Sequence, residues 1–377
     1  MLVLIAIDSF KGSLTSLQAG NAVKEAVLEV DASAQVAVHP LADGGEGTVE
    51  ALAAGLNGTL VDAVVTGPLS EPVTAQYCIL KDGKTAVIEM AAAAGIPLVP
   101  PEKRNPLYTT TYGVGELIKD AIQRGCRHFI VGIGGSATND GGVGMLQALG
   151  FDFLDKIGNA IEFGAKGLES LAAVSMEKAL PQLQACTFRV ACDVTNPLCG
   201  ENGCSAVFGP QKGGTAEMIE KMDKWLERYA ALAATVSPKA NQNYPGAGAA
   251  GGLGFAFLSF LNAKLESGIQ IILDETHLEE AIKNADIVVT GEGRLDGQTV
   301  MGKAPIGVAG LAKKHEKKVI AFSGCVTEDA VACNDHGIDA YFPIVPGAVT
   351  LEEAMDPKNA FKNLKNTARQ VFRLVDK

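Results

Sequence analysis

The amino-acid sequence predicts an α/β protein of two domains, in which an α+β domain is inserted into a domain built on a parallel sheet. The chain has 377 residues, which exceeds the size at which one hydrophobic core usually keeps growing. Both ends of the chain alternate strand and helix patterns, whereas the middle carries hairpin signals. We therefore expect residues 1–65 and 284–377 to form the parallel domain and residues 66–283 the inserted domain.

The first 65 residues contain two strands and two helices. The run "LVLIAID" is continuously apolar, as in a strand buried on both faces, and "AQVAVHPL" is the second strand. A capping box at Thr15 and Gln18 opens the helix "TSLQAGNAVKEAVLEV", and "EGTVEALAAGL" is the second helix. This alternation predicts parallel strands joined by right-handed crossovers.

The last 95 residues return to the same alternation. A strand at "DIVVT" followed by a loop is predicted in "ADIVVTGEG", and further strands at "KKVIAFSG" and "AYFPIV". A helix is predicted at "IGVAGLAKKHE", and a helical tail from Leu351 to Val375. The middle differs, because "VTAQYCILKDGKTAVIEM" predicts a hairpin about Asp82-Gly83 and "FDFLDKIGNAIEF" another about Gly158-Asn159.

Composition excludes several classes of function. The net charge of -11 and the pI of about 5.1 disfavour nucleic acid and anionic membranes as partners. The 8 cysteines form no CxxC pair and the 5 histidines are scattered, which disfavours a disulfide framework, a zinc site or a Ser–His triad. The start lacks the features of a signal peptide, and "GAGAAGGLGFAFLSFL" falls short of a membrane span. We expect a cytoplasmic enzyme or binding protein with small-molecule ligands, and a homo-oligomer stays open.

Three glycine-rich stretches are candidate anion sites. In "GIGGSATNDGGVG", a buried strand ends in a glycine turn and a helix follows, so that backbone amides can face an anion at the helix start; a flexible elbow is the alternative. "GAGAAG" matches the dinucleotide pattern but lacks the preceding strand, although a helix follows from Leu253. "GQTVMGKA" has the spacing of a P-loop, but Ala304 replaces the Ser or Thr that would hold Mg²⁺.

Polar residues also follow predicted strands, where ligands bind in open parallel sheets. Asp8 follows the first strand, and Asp43 and Glu46 follow the second, which suggests Mg²⁺ between them; a solvated turn is the alternative at Asp8. Asp193 ends the run "FRVACDV", where it is either a turn residue or a proton acceptor, and Lys212 lies in a glycine turn. Glycine loops with carboxylates and a few cations are typical of phosphoryl transfer.

Several of these segments together resemble the bacterial type of glycerate kinases. They are "DSFKGSL", "LADGGEGT", "GIGGSATNDGG", "DVTNPLCG", "FGPQKG", "GAGAAGGLG" and "TGEGRLDGQTVMGKAPIGVA", in the family's order and spanning residues 1 to about 310. The resemblance implies phosphorylation of D-glycerate with ATP and Mg²⁺, in a cleft between a Rossmann-like domain and the inserted domain. It also implies the 2-phosphoglycerate product, with 3-phosphoglycerate as the alternative.

The residue roles expected under this resemblance are hypotheses. Asp193 is the preferred catalytic base, with Asp8 and Asp43 as rivals, and Lys11 is a further catalytic candidate that balances charge. Substrate contacts are expected from Ser9, Arg104, Asn196, Lys212, Glu292 and Arg294. Nucleotide contacts are expected from Gly134, Gly135, Ser136, Thr138, Asn139, Asp140, Gly248 and Lys303, and metal contacts from Asp43, Glu46 and Asp296. A nicotinamide-dependent hydroxy-acid oxidoreductase and a non-catalytic anion-binding protein are the alternatives of other classes.

Overall fold

The computed structural model describes residues 1–42 and 47–375. Its strands are β1 (Leu2–Ile5), β2 (Gln35–Val38), β3 (Thr59–Thr66), β4 (Pro72–Ile79), β5 (Thr85–Glu89), β6 (His128–Gly132), β7 (Asp152–Leu154), β8 (Ala173–Ser175), β9 (Thr187–Ala191), β10 (Ala263–Glu266), β11 (Ile287–Leu295), β12 (Lys318–Val326) and β13 (Ala340–Pro343). Its helices are α1 (Ser16–Val30), α2 (Thr48–Gly55), α3 (Ala91–Ala94), α4 (Tyr112–Gln123), α5 (Val143–Ala148), α6 (Cys204–Phe208), α7 (Ala216–Val236), α8 (Ala249–Phe260), α9 (Gly268–Glu275), α10 (Leu278–Asn284), α11 (Ala304–Lys314), α12 (Ala332–Asp335), α13 (Leu351–Met355) and α14 (Pro357–Val375).

The chain forms two compact units. Unit 1 comprises Met1–Asp43, Glu50–Asn57 and Ile269–Lys377, and unit 2 comprises Gly44–Val49 and Gly58–Gly268. No helix of the described residues is both long and apolar enough to cross a bilayer.

Unit 1 contains a parallel sheet with the strand order β13-β12-β11-β1-β2. Numbered along the chain within this unit, the order is 2-1-3-4-5, that of doubly wound sheets. The Rossmann-like α/β prediction is therefore confirmed. The predicted capping box is also present, because Thr15 Oγ1 accepts from the Gln18 amide and Gln18 Oε1 accepts from the Thr15 amide. It fixes the start of α1, whose apolar face packs in the core of this unit.

Unit 2 contains a mixed sheet with the order β10-β9-β6-β5-β4-β3. The strands from β3 to β5 are antiparallel, which confirms the hairpin predicted about Asp82-Gly83, and those from β5 to β10 are parallel. At the second predicted hairpin, β7 makes only one bridge across the turn, from Leu154 to Ala160, and pairs along its length with β8. Short turns are readable from sequence, whereas a partner strand beyond a longer connection is not.

The limits of the units differ from the expected residues 66 and 283. Unit 2 includes β3 because this strand pairs antiparallel with β4 along its whole length. Unit 1 includes α10, which packs against β1 and α11. An apolar pattern identifies a strand or a helix but does not indicate which sheet it joins.

Candidate functional site

In unit 1, the strand order reverses between β1 and β11, and ligands bind at such a switch point beyond the carboxyl ends of the strands. Asp8 follows β1 and is 4% exposed, and its amide donates to the carbonyl of Gly291 in β11 at 2.9 Å. A Cβ on Gly293 would lie 3.4 Å from the Cα of Phe10 and 3.5 Å from the amide nitrogen of Lys11. The segments that carry Asp8, Lys11 and Glu292 therefore run side by side.

Glu292 is a second, largely buried carboxylate at this switch point, with a side chain that is 12% exposed. Burial raises its pKa, whereas the Thr299 hydroxyl and the positive charges of Lys303 and Lys11 oppose that rise. Thr299 Oγ1 donates to Glu292 Oε1 at 2.8 Å, and Lys303 Nζ lies 3.7 Å from Glu292 Oε2. The carboxylate thus lies within a set of cations that lowers the cost of its charge.

Asp296 and Lys303 complete this cluster. Lys303 precedes α11 as its N-cap residue, and its Nζ lies 3.7 Å from Asp296 Oδ1 as well as from Glu292. The side chain of Arg294 is 63% exposed, and its Nε lies 3.2 Å from Asp296 Oδ2. The strand β11 extends to Leu295, closer to the "GQTVMGKA" loop than the sequence indicates, but Ala304 is buried as the first residue of α11. The structure thus has a lysine in the loop before the helix, as a P-loop does, but lacks the hydroxyl side chain that follows it in a P-loop.

The segment after β2 carries two of the expected site residues. The expected residues Asp43 and Glu46 lie outside the described residues. Ser16, which the sequence analysis did not single out, connects the ends of β1 and β2: its Oγ donates to the carbonyl of Ile7 at 2.6 Å and accepts from the Leu41 amide at 2.7 Å. Ser16 therefore fixes the start of the segment that leads to Asp43.

The expected Mg²⁺ can be tested against the donors that are described. Among residues 1–42 and 47–375, no three His, Cys, Asp or Glu side chains are placed to hold a metal ion together. Mg²⁺ usually takes only one or two carboxylates together with water and phosphate oxygens. Of the three expected metal ligands, Asp296 is the described one, and a single carboxylate of this kind fits Mg²⁺ that is bound together with phosphate oxygens.

In unit 2, the buried side chain of Lys212 donates hydrogen bonds to the glycine loop between β6 and α5. Its Nζ donates to Ser136 Oγ at 2.8 Å and to the carbonyl of Thr138 at 2.6 Å. Lys212 is 2% exposed, and burial lowers its pKa to about 8. This lysine thus stabilises the loop directly.

Asp140 occupies the start of the short helix α5 with its own side chain. Its Oδ2 accepts from the amide and hydroxyl of Thr111 at 2.8 and 2.9 Å, and its Oδ1 accepts from the Gly142 amide at 3.1 Å. Burial raises the pKa of Asp140 despite these donors. The carboxyl group of Asp140 therefore occupies part of the helix start at which the sequence predicts an anion.

The side chains of Thr138, Asn139 and Asp140, which are predicted nucleotide contacts, are fully buried. Asn139 Nδ2 donates to Ser205 Oγ at 2.8 Å. The exposed part of the loop is Gly134 and Gly135, beside the buried Ser136. Spacing alone could not distinguish the residues that support the loop from those on its surface.

The "GAGAAG" segment packs against this glycine loop. The Gly141 amide donates to the carbonyl of Gly251 at 2.9 Å, and a Cβ on Gly251 would overlap the carbonyl oxygen of Thr138. Residues 237–246 form turns rather than a strand, and helical φ and ψ angles begin again at Leu253, as predicted. The segment thus lacks the strand of a dinucleotide site, and its glycines permit close packing between the two loops.

The remaining candidates of unit 2 lie in loops. Asp193 is exposed, and its Oδ1 accepts from the Gly268 amide at 3.1 Å. Asn196 Nδ2 donates to the carbonyl of Asn202 at 2.9 Å, and the carbonyl of Asn196 accepts from the Gly248 amide at 2.9 Å. These bonds place Asn196 and Gly248 side by side.

Arg104 is half-buried next to the turn that carries Lys212. A Cβ on Gly213 would lie 3.0 Å from the Cβ of Arg104 and would overlap its carbonyl oxygen. In unit 1, the amide of Ser9 donates to Asp8 Oδ1 at 2.7 Å. The fold therefore brings Arg104 towards Lys212, and Ser9 towards the carboxylate of Asp8.

The sequence analysis missed Thr299, Thr111 and Ser205, which bond to candidate site residues. Thr299 lies within the quoted "GQTVMGKA" stretch, so its position was visible but its partner was not. Thr111 and Ser205 lie far in sequence from the loop residues that they contact, and no local pattern identifies them.

Comparisons with known proteins agree with one family along the chain. The profile described as "Glycerate kinase family" matches residues 3–376. The chain is 50% identical over 375 residues to a glycerate kinase of Haemophilus influenzae, covering 100% of this chain and 99% of that protein. It is 48% identical over 371 residues to a glycerate 2-kinase of Escherichia coli, covering 98% of this chain and 97% of that protein. A crystal structure of a putative glycerate kinase 2 from Salmonella typhimurium superposes on this chain with a TM-score of 0.92 at 48% identity. The match covers 100% of this chain and 98% of that one.

Proposed function

Because the chain belongs to the glycerate kinase family, we propose that it transfers the γ-phosphoryl group of ATP to a hydroxyl of D-glycerate and forms 2-phosphoglycerate. The observation that carries this proposal is that nearly the whole chain is similar to known glycerate kinases. One of these relatives is a glycerate 2-kinase at 48% identity. The nicotinamide alternative loses support, because turns replace the strand that its glycine pattern requires.

The charged cluster of unit 1 suits this chemistry. Lys11 and Lys303 surround Glu292 at the switch point of the sheet. Phosphoryl transfer depends mainly on positioning and on stabilising the charge of the transferred group. In our proposal, the two lysines neutralise phosphate charge, and Glu292 accepts a hydrogen bond from a hydroxyl of glycerate.

Mg²⁺ would be held by Asp296, with Asp43 and Glu46 as further proposed ligands. It would supply positive charge to the nucleotide phosphates. The proposed role of Arg294, which lies 3.2 Å from Asp296, is to contact the substrate with its exposed guanidinium.

The glycine loop of unit 2 would contribute to nucleotide binding through its exposed part. Gly134 and Gly135 would contact the nucleotide there, and the buried Ser136, whose Oγ accepts from Lys212 Nζ, is proposed as a further contact. We assign a supporting role to Thr138, Asn139 and Asp140, because their side chains are fully buried. Gly248 would help indirectly, by fixing the neighbouring loop through Asn196.

The base that deprotonates glycerate is proposed to be Asp193, with Asp8 and Asp43 as rivals. Asp193 is exposed at the end of a parallel strand, whereas Asp8 is buried at the switch point. The carboxylate of glycerate would be bound by Arg104 or Lys11, since a guanidinium or an ammonium group pairs with such an anion.

The decisive experiment measures ADP release by the purified protein with and without D-glycerate. Glycerate-dependent ADP supports the kinase, and its absence would refute the proposal; a change in cofactor absorbance without use of ATP would favour the oxidoreductase. Phosphorus NMR identifies the product, because one neighbouring proton splits the 2-phosphate signal into a doublet and two split the 3-phosphate signal into a triplet.

Variants then assign the base. Removing a true general base typically lowers kcat by about 10²- to 10⁴-fold. We expect this loss for Asp193→Asn and a smaller one for the rival Asp8→Asn. The control Glu217→Gln, whose side chain is 77% exposed on α7, should lose nothing. Near wild-type kcat in a folded Asp193→Asn variant would transfer the role to a rival.

A further inference from the structure

Thr299 lies between two groups of the unit 1 cluster. It begins a short 3₁₀ turn, Thr299–Met301, and is fully buried. Its Oγ1 lies 2.8 Å from Glu292 Oε1 and 3.1 Å from the amide nitrogen of Asp296. The carbonyl of Asp296 in turn accepts from the Thr299 amide at 3.0 Å, so the backbone around the hydroxyl is fixed on both sides.

The protons of this arrangement have one consistent assignment. An amide can only donate, so Asp296 N–H donates to Thr299 Oγ1. The single hydroxyl proton of Thr299 is then directed to Glu292 Oε1. Glu292 Oε1 is therefore the acceptor of this hydrogen bond.

This bond determines which oxygen of Glu292 faces the cation. With Oε1 bonded to Thr299, Oε2 lies 3.7 Å from Lys303 Nζ. The other charged or titratable groups that act on Glu292 are Asp296, Lys11 and, on α12, Cys333. Among the groups described around Glu292, Thr299 is the neutral donor that fixes its rotation.

We propose that Thr299 is a positioning residue for substrate binding: its hydroxyl holds Glu292 so that Oε2 faces Lys303 and a hydroxyl of glycerate. The proposal rests on the proposed function, because it assumes that Glu292 contacts the substrate. Thr299 itself does not contact substrate in this account, and acts through Glu292.

The test compares Thr299→Val, which keeps the shape of the side chain, with Thr299→Ser, which keeps the hydroxyl. A hydrogen bond to a charged group corresponds to a change of about 10- to 100-fold. We expect Thr299→Val to lower kcat/KM for D-glycerate by this factor with little change in KM for ATP. Thr299→Ser should recover most of the loss relative to valine. A purely structural role would change both substrate constants together.

A double-mutant cycle separates the two bonds of the hydroxyl. Glu292→Ala removes the proposed partner and keeps the Asp296 amide, so Thr299→Val should add little further loss in kcat/KM for D-glycerate in that background. Full additivity, or no recovery by serine, would overturn the proposal. If the valine variant does not fold, Thr299→Ala replaces it in every arm.

Failure of the underlying function gives a different result. If Glu292→Ala alone leaves kcat/KM for D-glycerate unchanged, Glu292 has no role in binding, and the assumption fails together with the inference. If Glu292→Ala lowers kcat/KM and Thr299→Val does not, only the role of Thr299 is refuted.

Discussion

Replacing the buried Lys212 by methionine should change how the stability of unit 2 depends on pH. Burial lowers the pKa of Lys212 from an ordinary 10.5 to about 8. Below pH 8 the amine is charged in both the folded and the unfolded chain, and the folded state bears the full cost of its desolvation. Between pH 8 and 10.5 the folded protein has released this proton while the unfolded chain still binds it, so wild-type stability rises with pH.

The size of the effect follows from the two pKa values. The gap between 10.5 and about 8 corresponds to a penalty of about 3 kcal/mol for the charged amine near pH 7. At pH 9.5 the same relation leaves a penalty of about 1 kcal/mol. The free energy of unfolding of the wild type should therefore rise by about 2 kcal/mol relative to Lys212→Met over this range.

The assay uses the single tryptophan of the chain. Trp225 lies in α7, in the same unit as Lys212, so its fluorescence during urea unfolding reports on unit 2. The variant also loses the bonds of Lys212 to Ser136 and Thr138, so only the pH dependence of the difference is interpreted. As a control, Lys224→Met removes a lysine whose side chain is 69% exposed, and should leave this pH dependence unchanged.

A difference between wild type and Lys212→Met that stays constant from pH 7 to 9.5 would refute the reasoning. It would mean that Lys212 titrates in the folded protein as it does in the unfolded chain. A difference that falls with rising pH would refute it more strongly, because the charged amine would then be stabilised by the fold.

Three further substitutions test local features of the fold. Gly251→Ala should lower the free energy of unfolding by about 2–4 kcal/mol, because its φ is +67° and a methyl group would overlap a neighbouring carbonyl. The control Gly83→Ala, with a φ of +66° and open space around it, should lower it by about 1 kcal/mol. Equal losses for both variants, measured by tryptophan fluorescence, would exclude the overlap. Thr15→Ala removes the cap of α1 and should cost about 1 kcal/mol in thermal unfolding followed by circular dichroism; an unchanged melting curve would contradict this. Ser16→Ala should lower the free energy of unfolding by about 2 kcal/mol and speed hydrogen exchange of the Leu41 amide, which donates to Ser16. The control Ser13→Ala removes a buried hydroxyl that has no partner among the described residues, and should change neither quantity. Equal behaviour of the two variants would count against the role of Ser16.

Local patterns predicted much of the secondary structure. The Thr15 capping box, the hairpin at Asp82-Gly83 and the helix from Leu253 depend on residues that are close in sequence, and each is present. Parallel pairing at both ends of the chain followed from alternation of strands and helices. These features depend on short-range interactions, which the sequence displays directly.

The candidate site depended on contacts that no local pattern records. Lys212 was identified as a cation in a glycine turn, but its bond to Ser136 joins residues 76 positions apart. Asp140 was predicted to contact the nucleotide, and its side chain is buried through a bond to Thr111, 29 positions away, which no local pattern shows. Spacing identified the residue types of the loop, whereas burial decides which of them support it.

The close packing of the two glycine loops has a consequence for how this chain can diverge from its relatives. A methyl group on Gly251 would overlap the Thr138 carbonyl, and a Cβ on Gly252 would lie 2.8 Å from the Cα of Gly141. The loop that carries Gly251 and Gly252 can therefore not acquire a side chain at these two positions unless the loop that carries Thr138 and Gly141 moves. Although the loops are far apart in the sequence, we expect substitutions in them to appear as compensated pairs, so that the two loops evolve as one element.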